Sequence, residues 1–171
     1  ESADFLHKKF GKLDTACILG TGFCPVSPPW QVIKKISCDE IPNFPSRANT
    51  YHTQDFLHVE ANAIEFLLMT GRYHLYEGFS MKEIAYPVRV MASMGLINLI
   101  VTSSVGGIHP EYVVGDYVVV ENHVNFLGLN PLIGPNLDSI GPRFPNLLDL
   151  YDSQMVESLI FNGAENGLII S

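Results

Sequence analysis

Short apolar runs alternate along most of the chain with breaks rich in glycine, proline and hydroxyl side chains. Thr15 to Leu19 is an apolar run closed by Gly20-Thr21-Gly22, the pattern of a strand entering a tight loop. Cys24 to Pro29 holds three prolines and is expected to be irregular. Phe56 to Glu60 alternates and Ile64 to Met69 is mostly apolar, which predicts two neighbouring strands. Ser80-Met81-Lys82-Glu83 has the form of a capping box. Pro87 follows too closely for one unbroken helix, so the pattern predicts a short turn from Ser80 and then a second helix. That helix would carry Pro87 in its first turn, Met91 and Met94 on its buried face, and Gly95 at its end.

Leu96 to Thr102 is continuous and apolar, which predicts a strand covered on both faces. Tyr117 to Glu121 is a further β-branched run. Asn125 to Asn146 lacks periodicity and is rich in Pro, Gly and Asn, so it is expected to be a long loop. Leu150 to Phe161 returns to helical spacing, with Asn162-Gly163 as its stop. Gly167 to Ser171 resembles the opening of a buried strand whose partners are missing, so the chain is expected to be part of something longer. The order of elements is that of one α/β domain over 1–171, with 1–14 as an N-terminal segment and no internal repeat.

Composition narrows the function classes. Apolar residues make up 47% and charged residues 16%, which excludes a disordered chain. Ten Lys and Arg face eighteen Asp and Glu, and the net charge of -8 argues against nucleic acid as a partner. No apolar stretch approaches the ~20 residues of a membrane span. The first residues, Glu1-Ser2-Ala3-Asp4, show no signal peptide. Cys17, Cys24 and Cys38 make an odd set without CxxC spacing, so neither a disulfide framework nor a metal site is expected. Reduced thiols in a cytoplasmic protein are the simplest reading.

Open α/β sheets bind ligands at the carboxyl ends of their strands, and three strand-end loops carry candidate chemistry. Gly20-Thr21-Gly22 lets backbone amides approach an anion and adds a hydroxyl, although such spacing is more often a plain tight turn. Ser103 to Gly107 has the makings of a concave amide nest, with an ordinary turn as the alternative. Gly71-Arg72-Tyr73-His74-Leu75-Tyr76-Glu77-Gly78 is the densest. At extended spacing Arg72 and His74 point to one side, where a guanidinium can clamp a phosphate and an imidazole can move a proton. Glu77 can fix the protonation of His74, and Tyr76 offers a flat apolar wall. The plainer alternative is a rim ion pair between Arg72 and Glu77, worth little. His7, His58, His109 and His123 show no metal spacing and are expected to be structural, whereas His52, in the polar stretch Asn49 to Asp55, is left undecided by spacing.

An ordered series of segments resembles one family. It runs from Ile18-Leu19-Gly20-Thr21-Gly22 through Glu40-Ile41-Pro42-Asn43-Phe44-Pro45, Gly71-Arg72-Tyr73-His74 with Tyr76-Glu77-Gly78, and Pro87-Val88-Arg89-Val90. It continues with Gly106-Gly107, Val114-Gly115-Asp116, His123-Val124-Asn125, Asn130-Pro131-Leu132, Gly134-Pro135-Asn136 and Arg143-Phe144-Pro145. The chain is similar to the N-terminal portion of the trimeric, low-molecular-mass purine nucleoside phosphorylases. This resemblance implies a mixed, distorted central sheet flanked by helices, and a homotrimer. It also implies reversible phosphorolysis of inosine- or guanosine-type nucleosides to purine base and ribose 1-phosphate. No cofactor or metal is implied, because inorganic phosphate is itself a substrate.

By the same resemblance, Thr21, His52, Arg72, His74 and the Ser104 amide match phosphate contacts, Tyr76 matches a ribose contact, and Glu77 matches a glutamate that helps hold phosphate and His74. The chain departs from the family pattern at several places. Thr21 replaces a serine, Tyr51 a glycine, Ser103-Ser104-Val105 an Asn-Ala-Ala sequence, and Ile140 an aromatic residue, and the loop after Asn125 is short. The family's purine-recognising residues fall beyond Ser171, so the 171 residues alone are expected to bind phosphate without turning over nucleosides. The changes at Ser103 to Val105 and at Ile140 motivate an alternative, a non-catalytic relative that keeps the fold and its phosphate binding.

Overall fold

The structure is a computed structural model that describes residues 1–22, 30–45, 54–168 and 170. It forms two compact units, Glu1–Ser104 and Val105–Ser171. The first contains α1 (Ser2–Phe10), β1 (Thr15–Ile18), β2 (Gln31–Ser37), β3 (Asp55–Ala61), β4 (Ile64–Met69), α2 (Met81–Ser93) and β5 (Asn98–Val101). Its strands form a mixed five-stranded sheet in the order β2-β3-β4-β1-β5. β1 runs parallel to both β4 and β5, while β2, β3 and β4 form an antiparallel meander. This is the mixed sheet with flanking helices expected from the resemblance.

Alternation along the central strands separates two apolar faces. Ala16, Ile18, Phe56, Leu67 and Met69 face a core that also takes Leu6 and Phe10 from α1 and Val90 and Met91 from α2. Cys17, Leu19, Leu57, Val59 and Leu68 point the other way, against Trp30 and Phe66. β3 and β4 pair as expected, through a two-residue turn at Asn62 (φ 51°) and Ala63 (φ 61°). Neither α1 nor β2 was foreseen. α1 buries only Ser2, Leu6 and Phe10, a stripe too thin to stand out from nine residues. β2 is an edge strand, mostly exposed, with Lys34 and Lys35 and a register shift between Val32 and Lys34 that break its alternation.

The capping box at Ser80 forms: Glu83 Oε2 accepts from the Ser80 amide (2.8 Å) and hydroxyl (2.7 Å). The expected break before Pro87 does not occur, and α2 is one helix from Met81 to Ser93. An interior proline costs about 3 kcal/mol. Pro87 is buried beside Val90 and Met91, and burial of such apolar side chains returns roughly 1.5–3 kcal/mol each. Gly95 (φ 86°) ends the helix as expected, with its amide bonded to Ala92 and that of Leu96 to Met91, a Schellman arrangement. β5 overturns the expectation of a strand covered on both faces. It lies at the sheet edge, with Leu99, Ile100 and Val101 40%, 43% and 54% exposed.

In the second unit, 125–146 is irregular, as its composition predicts. Tyr117 to Glu121 is not a strand. Among the described residues its pairing is one isolated parallel bridge, from Tyr117 to Ile170. α3 starts later than its spacing predicts, at Ser153, because Asp152 caps it by accepting from the Met155 amide (2.9 Å). It also runs through Asn162-Gly163 to Glu165. Gly163 is buried, and a Cβ there would meet Ile170 Cδ1 at 2.5 Å, so this glycine admits a neighbour and does not stop the helix. The stop is Gly167 (φ 76°), in a second Schellman arrangement.

Candidate functional site

β4, β1 and β5 are adjacent and parallel, so their carboxyl ends open on the same edge of the sheet. The three loops singled out by sequence leave from those ends. The β1 loop is held close to its neighbours. Its Gly20 amide donates to Thr102 Oγ1 (2.9 Å), and the Thr102 amide donates to the Ile18 carbonyl (3.0 Å). Ser104 Oγ donates to the Thr21 carbonyl. Gly20 is required for space: a Cβ would sit 2.5 Å from the Thr102 carbonyl oxygen, 2.8 Å from Arg72 Nη2 and 2.9 Å from Ser103 Cα. Gly22 is required for conformation, at φ 97°.

Arg72 leaves the end of β4 and reaches across to β5, where Nη2 donates to Ser103 Oγ (2.9 Å). Its carbonyl accepts from Nε2 of Gln54 (2.8 Å), a fully buried side chain just ahead of β3. The guanidinium therefore lies against the β1 loop and the β5 end together. The plainer alternative, a rim ion pair between Arg72 and Glu77, is not what forms, because Glu77 is engaged with His74.

That second cluster is local. The stretch from Arg72 is extended through His74 (φ -123°, ψ 149°) and then turns through a single 3₁₀ turn, Leu75–Glu77, closed by Gly78 at φ 92°. Glu77 Oε2 accepts from the His74 amide (3.0 Å) and lies 2.8 Å from His74 Nδ1. An ionised carboxylate only accepts, so Nδ1 carries the proton and a neutral imidazole keeps its lone pair on Nε2. Tyr76 stacks on the His74 ring at 4.8 Å and 21°, yet stays 76% exposed. A guanidinium, a hydroxyl loop and an oriented imidazole can together bind a small anion and exchange a proton with it.

The structure brings Arg72, Ser103, Gly20, Thr21 and Ser104 to one strand-end edge, and His74, Tyr76 and Glu77 into the adjoining turn. His52 lies outside the described residues. Of the two readings of Ser103 to Gly107, the nest does not form in its αR–αL arrangement, since no residue there has a positive φ. Sequence reasoning missed Thr102, signalled only by a hydroxyl at a strand end, and Gln54, which carried no signal. His58, expected to be structural, has Nε2 2.7 Å from Glu65 Oε2 across the β3–β4 hairpin. Among the described residues no group of three or more His, Cys, Asp and Glu side chains gathers as a metal site, and no helix is long and apolar enough to cross a membrane.

Comparison with known proteins gives this geometry a context. Residues 15–168 match the model of the phosphorylase superfamily. Purine nucleoside phosphorylase 1 of Bacillus subtilis is 37% identical over 138 residues, covering 81% of this chain and 51% of that protein. Its namesake from Geobacillus stearothermophilus is 35% identical over 156 residues, covering 91% and 57%. The chain thus spans about half the length of the curated relatives it matches. Isoform 2 of purine nucleoside phosphorylase from Schistosoma mansoni, solved in complex with cytosine and ribose-1-phosphate, superimposes with a TM-score of 0.87 at 33% identity, over 99% of this chain and 61% of that one. With a family match running across both units and nearly the whole sequence, the chain belongs to the phosphorylase superfamily.

Proposed function

We propose that this protein is a purine nucleoside phosphorylase and that the strand-end edge of its first unit supplies the phosphate side of the active site. The observation that carries this reading is the convergence of Arg72, the Thr21 loop and the β5 end. In the proposed reaction a phosphate oxygen attacks the anomeric carbon of a purine nucleoside. The C–O bond forms as the bond to the purine nitrogen breaks, and the purine leaves with a proton. Arg72, Thr21 and the Ser104 amide bind the anion, whose charge also favours the cation-like sugar of the transition state. His74, oriented by Glu77, adds a phosphate contact and a proton relay, Tyr76 lies against the ribose, and His52 supplies a further phosphate contact.

Phosphate is the second substrate, so the reaction calls for no cofactor. A homotrimer in the cytoplasm, acting on inosine- or guanosine-type nucleosides, completes the reading. Both units belong to one α/β domain on this view, supported by a family match that runs through 15–168 without a break.

One observation favours a second reading, a relative that binds anions without turning over nucleosides. The hydroxyls of Ser103 and Ser104 already engage Arg72 and the Thr21 loop, in positions where they compete with an incoming oxygen. The test is inosine phosphorolysis, read as uric acid through a coupled oxidase, beside phosphate binding by the wild type and by Arg72→Ala. Removing a charge-assisted contact worth ~1.5–3 kcal/mol should weaken phosphate binding by more than about tenfold. Phosphate binding without phosphorolysis by the whole protein would select the second reading, since the 171 residues alone are expected to behave that way under either. Unchanged affinity in Arg72→Ala would overturn both.

A further inference from the structure

We propose that Gln54 is the positioning residue for Arg72, an inference that rests on the phosphate-site reading above. The β3–β4 ladder ends in a tight clamp: the Thr70 amide donates to the Asp55 carbonyl (3.0 Å), and the Asp55 amide donates to Thr70 Oγ1 (3.0 Å). Thr70 and the residues after it lie past the last residue of β4, Met69. There the Gln54 side chain continues the ladder, and Nε2 donates to the Arg72 carbonyl at 2.8 Å. Gln54 has no exposed surface, and its backbone carbonyl accepts from the Cys38 amide (3.1 Å). β2, β3 and the exit of β4 are thereby tied at one residue.

A buried amide N–H that loses its acceptor is costly, so the bond from Gln54 Nε2 holds the Arg72 carbonyl in place. It fixes the main chain from which the guanidinium extends. The far end of Arg72 has little freedom, because Nη2 sits 2.8 Å from where a Cβ on Gly20 would be while donating to Ser103. A side chain anchored at both ends responds to a shift of its backbone with a misplaced charge. Misplacement by ~1 Å can cost about a hundredfold in a reaction.

A purely structural glutamine predicts something different, a loss of stability that leaves phosphate affinity alone or adds independently to other losses. The discriminating experiment is a double-mutant cycle read by inorganic phosphate titration of the whole protein, with thermal unfolding followed in parallel. Gln54→Leu keeps the volume and removes the donor, and Gln54→Glu is nearly isosteric and, when ionised, cannot donate. Each should weaken phosphate binding roughly tenfold, the size of one lost buried hydrogen bond. Combined with Arg72→Ala, each should bind phosphate no more weakly than Arg72→Ala alone, because Gln54 acts through that side chain. Where nucleoside turnover is measurable, KM for phosphate should rise while KM for the nucleoside stays put. Additive losses in the cycle, or unchanged affinity in the folded Gln54 variants, would overturn the assignment of Gln54 and leave the phosphate site standing. An Arg72→Ala protein that binds phosphate as well as wild type would instead overturn the site itself.

Discussion

Gly20→Ala puts the strand-end geometry to its hardest test. The added methyl meets three atoms below the distance any carbon tolerates: the Thr102 carbonyl oxygen at 2.5 Å, Arg72 Nη2 at 2.8 Å and Ser103 Cα at 2.9 Å. Non-bonded carbon contacts are favourable only near 3.5–4.0 Å, so roughly an ångström of relief is needed on each side. Two of the three atoms are backbone of the β5 end, which is bonded to β1 through the Thr102 amide and the Gly20 amide. Arg72 is the softer neighbour, but moving it breaks its bond to Ser103.

Overpacking of this kind costs about 1–3 kcal/mol, which lowers the melting midpoint by roughly 2–12 °C in a chain of this size. Because Arg72 gives way first, phosphate affinity should fall by at least about tenfold, as one charge-assisted contact is lost. The assay pairs calorimetric unfolding with phosphate titration, and Gly22→Ala, strained by its positive φ but without a contact below 3.2 Å, serves as comparison. A Gly20→Ala protein that melts and binds phosphate like wild type would mean the β1 loop, Arg72 and the β5 end are not in contact.

Three further outcomes follow from other residues. Ala63 holds φ 61° in the β3–β4 turn, where a Cβ costs ~1–2 kcal/mol; Ala63→Gly should therefore raise stability by about 0.5–1 kcal/mol net of chain entropy, and an unchanged or lower urea midpoint would contradict the turn geometry. The Glu83 carboxyl is held below the usual carboxylate range by hydrogen bonds from the Ser80 hydroxyl and amide. Its contribution is therefore present above the unfolded pKa and lost as pH falls through the lower folded one; Ser80→Ala should cost ~0.5–2 kcal/mol at neutral pH and flatten that acid limb of the stability profile. Burial pushes the Cys17 thiol up to about 11, so the thiol should resist alkylation at pH 8 until denaturant is added. Its share of stability is whole below the unfolded pKa and fades as pH rises toward 11; rapid labelling of native protein, located by mass spectrometry, would refute the burial.

What the sequence disclosed depended on how locally each feature is determined. β1, β3, β4, the Ser80 cap and the loops at 20–22 and 71–78 announce themselves by runs, turn residues and spacing within a few positions. α1 and β2 do not, because α1 is marked by three buried residues at a four-residue step and β2 is a lysine-bearing edge with a register shift. Pro87 misled by its local rule: burial on the core face outweighs the broken hydrogen bond. Gly163 misled in the same way, since its lack of a side chain answers to Ile170 and not to the helix that contains it. Gln54 lay beyond reach because its meaning comes from the carbonyl of Arg72, eighteen residues away.

The same distinction separates the two halves of the candidate site. His74, Tyr76 and Glu77 fall within four consecutive positions, and the bonds from His74 to Glu77 and the stacking of Tyr76 on His74 are made inside one turn. Changes in the sheet should leave that cluster nearly intact. Arg72 is the opposite case: its carbonyl is held from the start of β3, its guanidinium from the end of β5, and its space depends on a glycine after β1. Three strands must therefore be in register before the positive charge is in place. The anion-binding half is a sensor of sheet integrity, whereas the proton-exchanging half is carried by its own short segment. Partial unfolding that frees the exposed β5 edge should accordingly abolish phosphate affinity before it disturbs the environment of the His74 ring, an order that His74 resonances followed during phosphate titration at rising urea would reveal. Simultaneous loss of both would mean that the 71–78 turn depends on β5 in a way its internal hydrogen bonds do not account for.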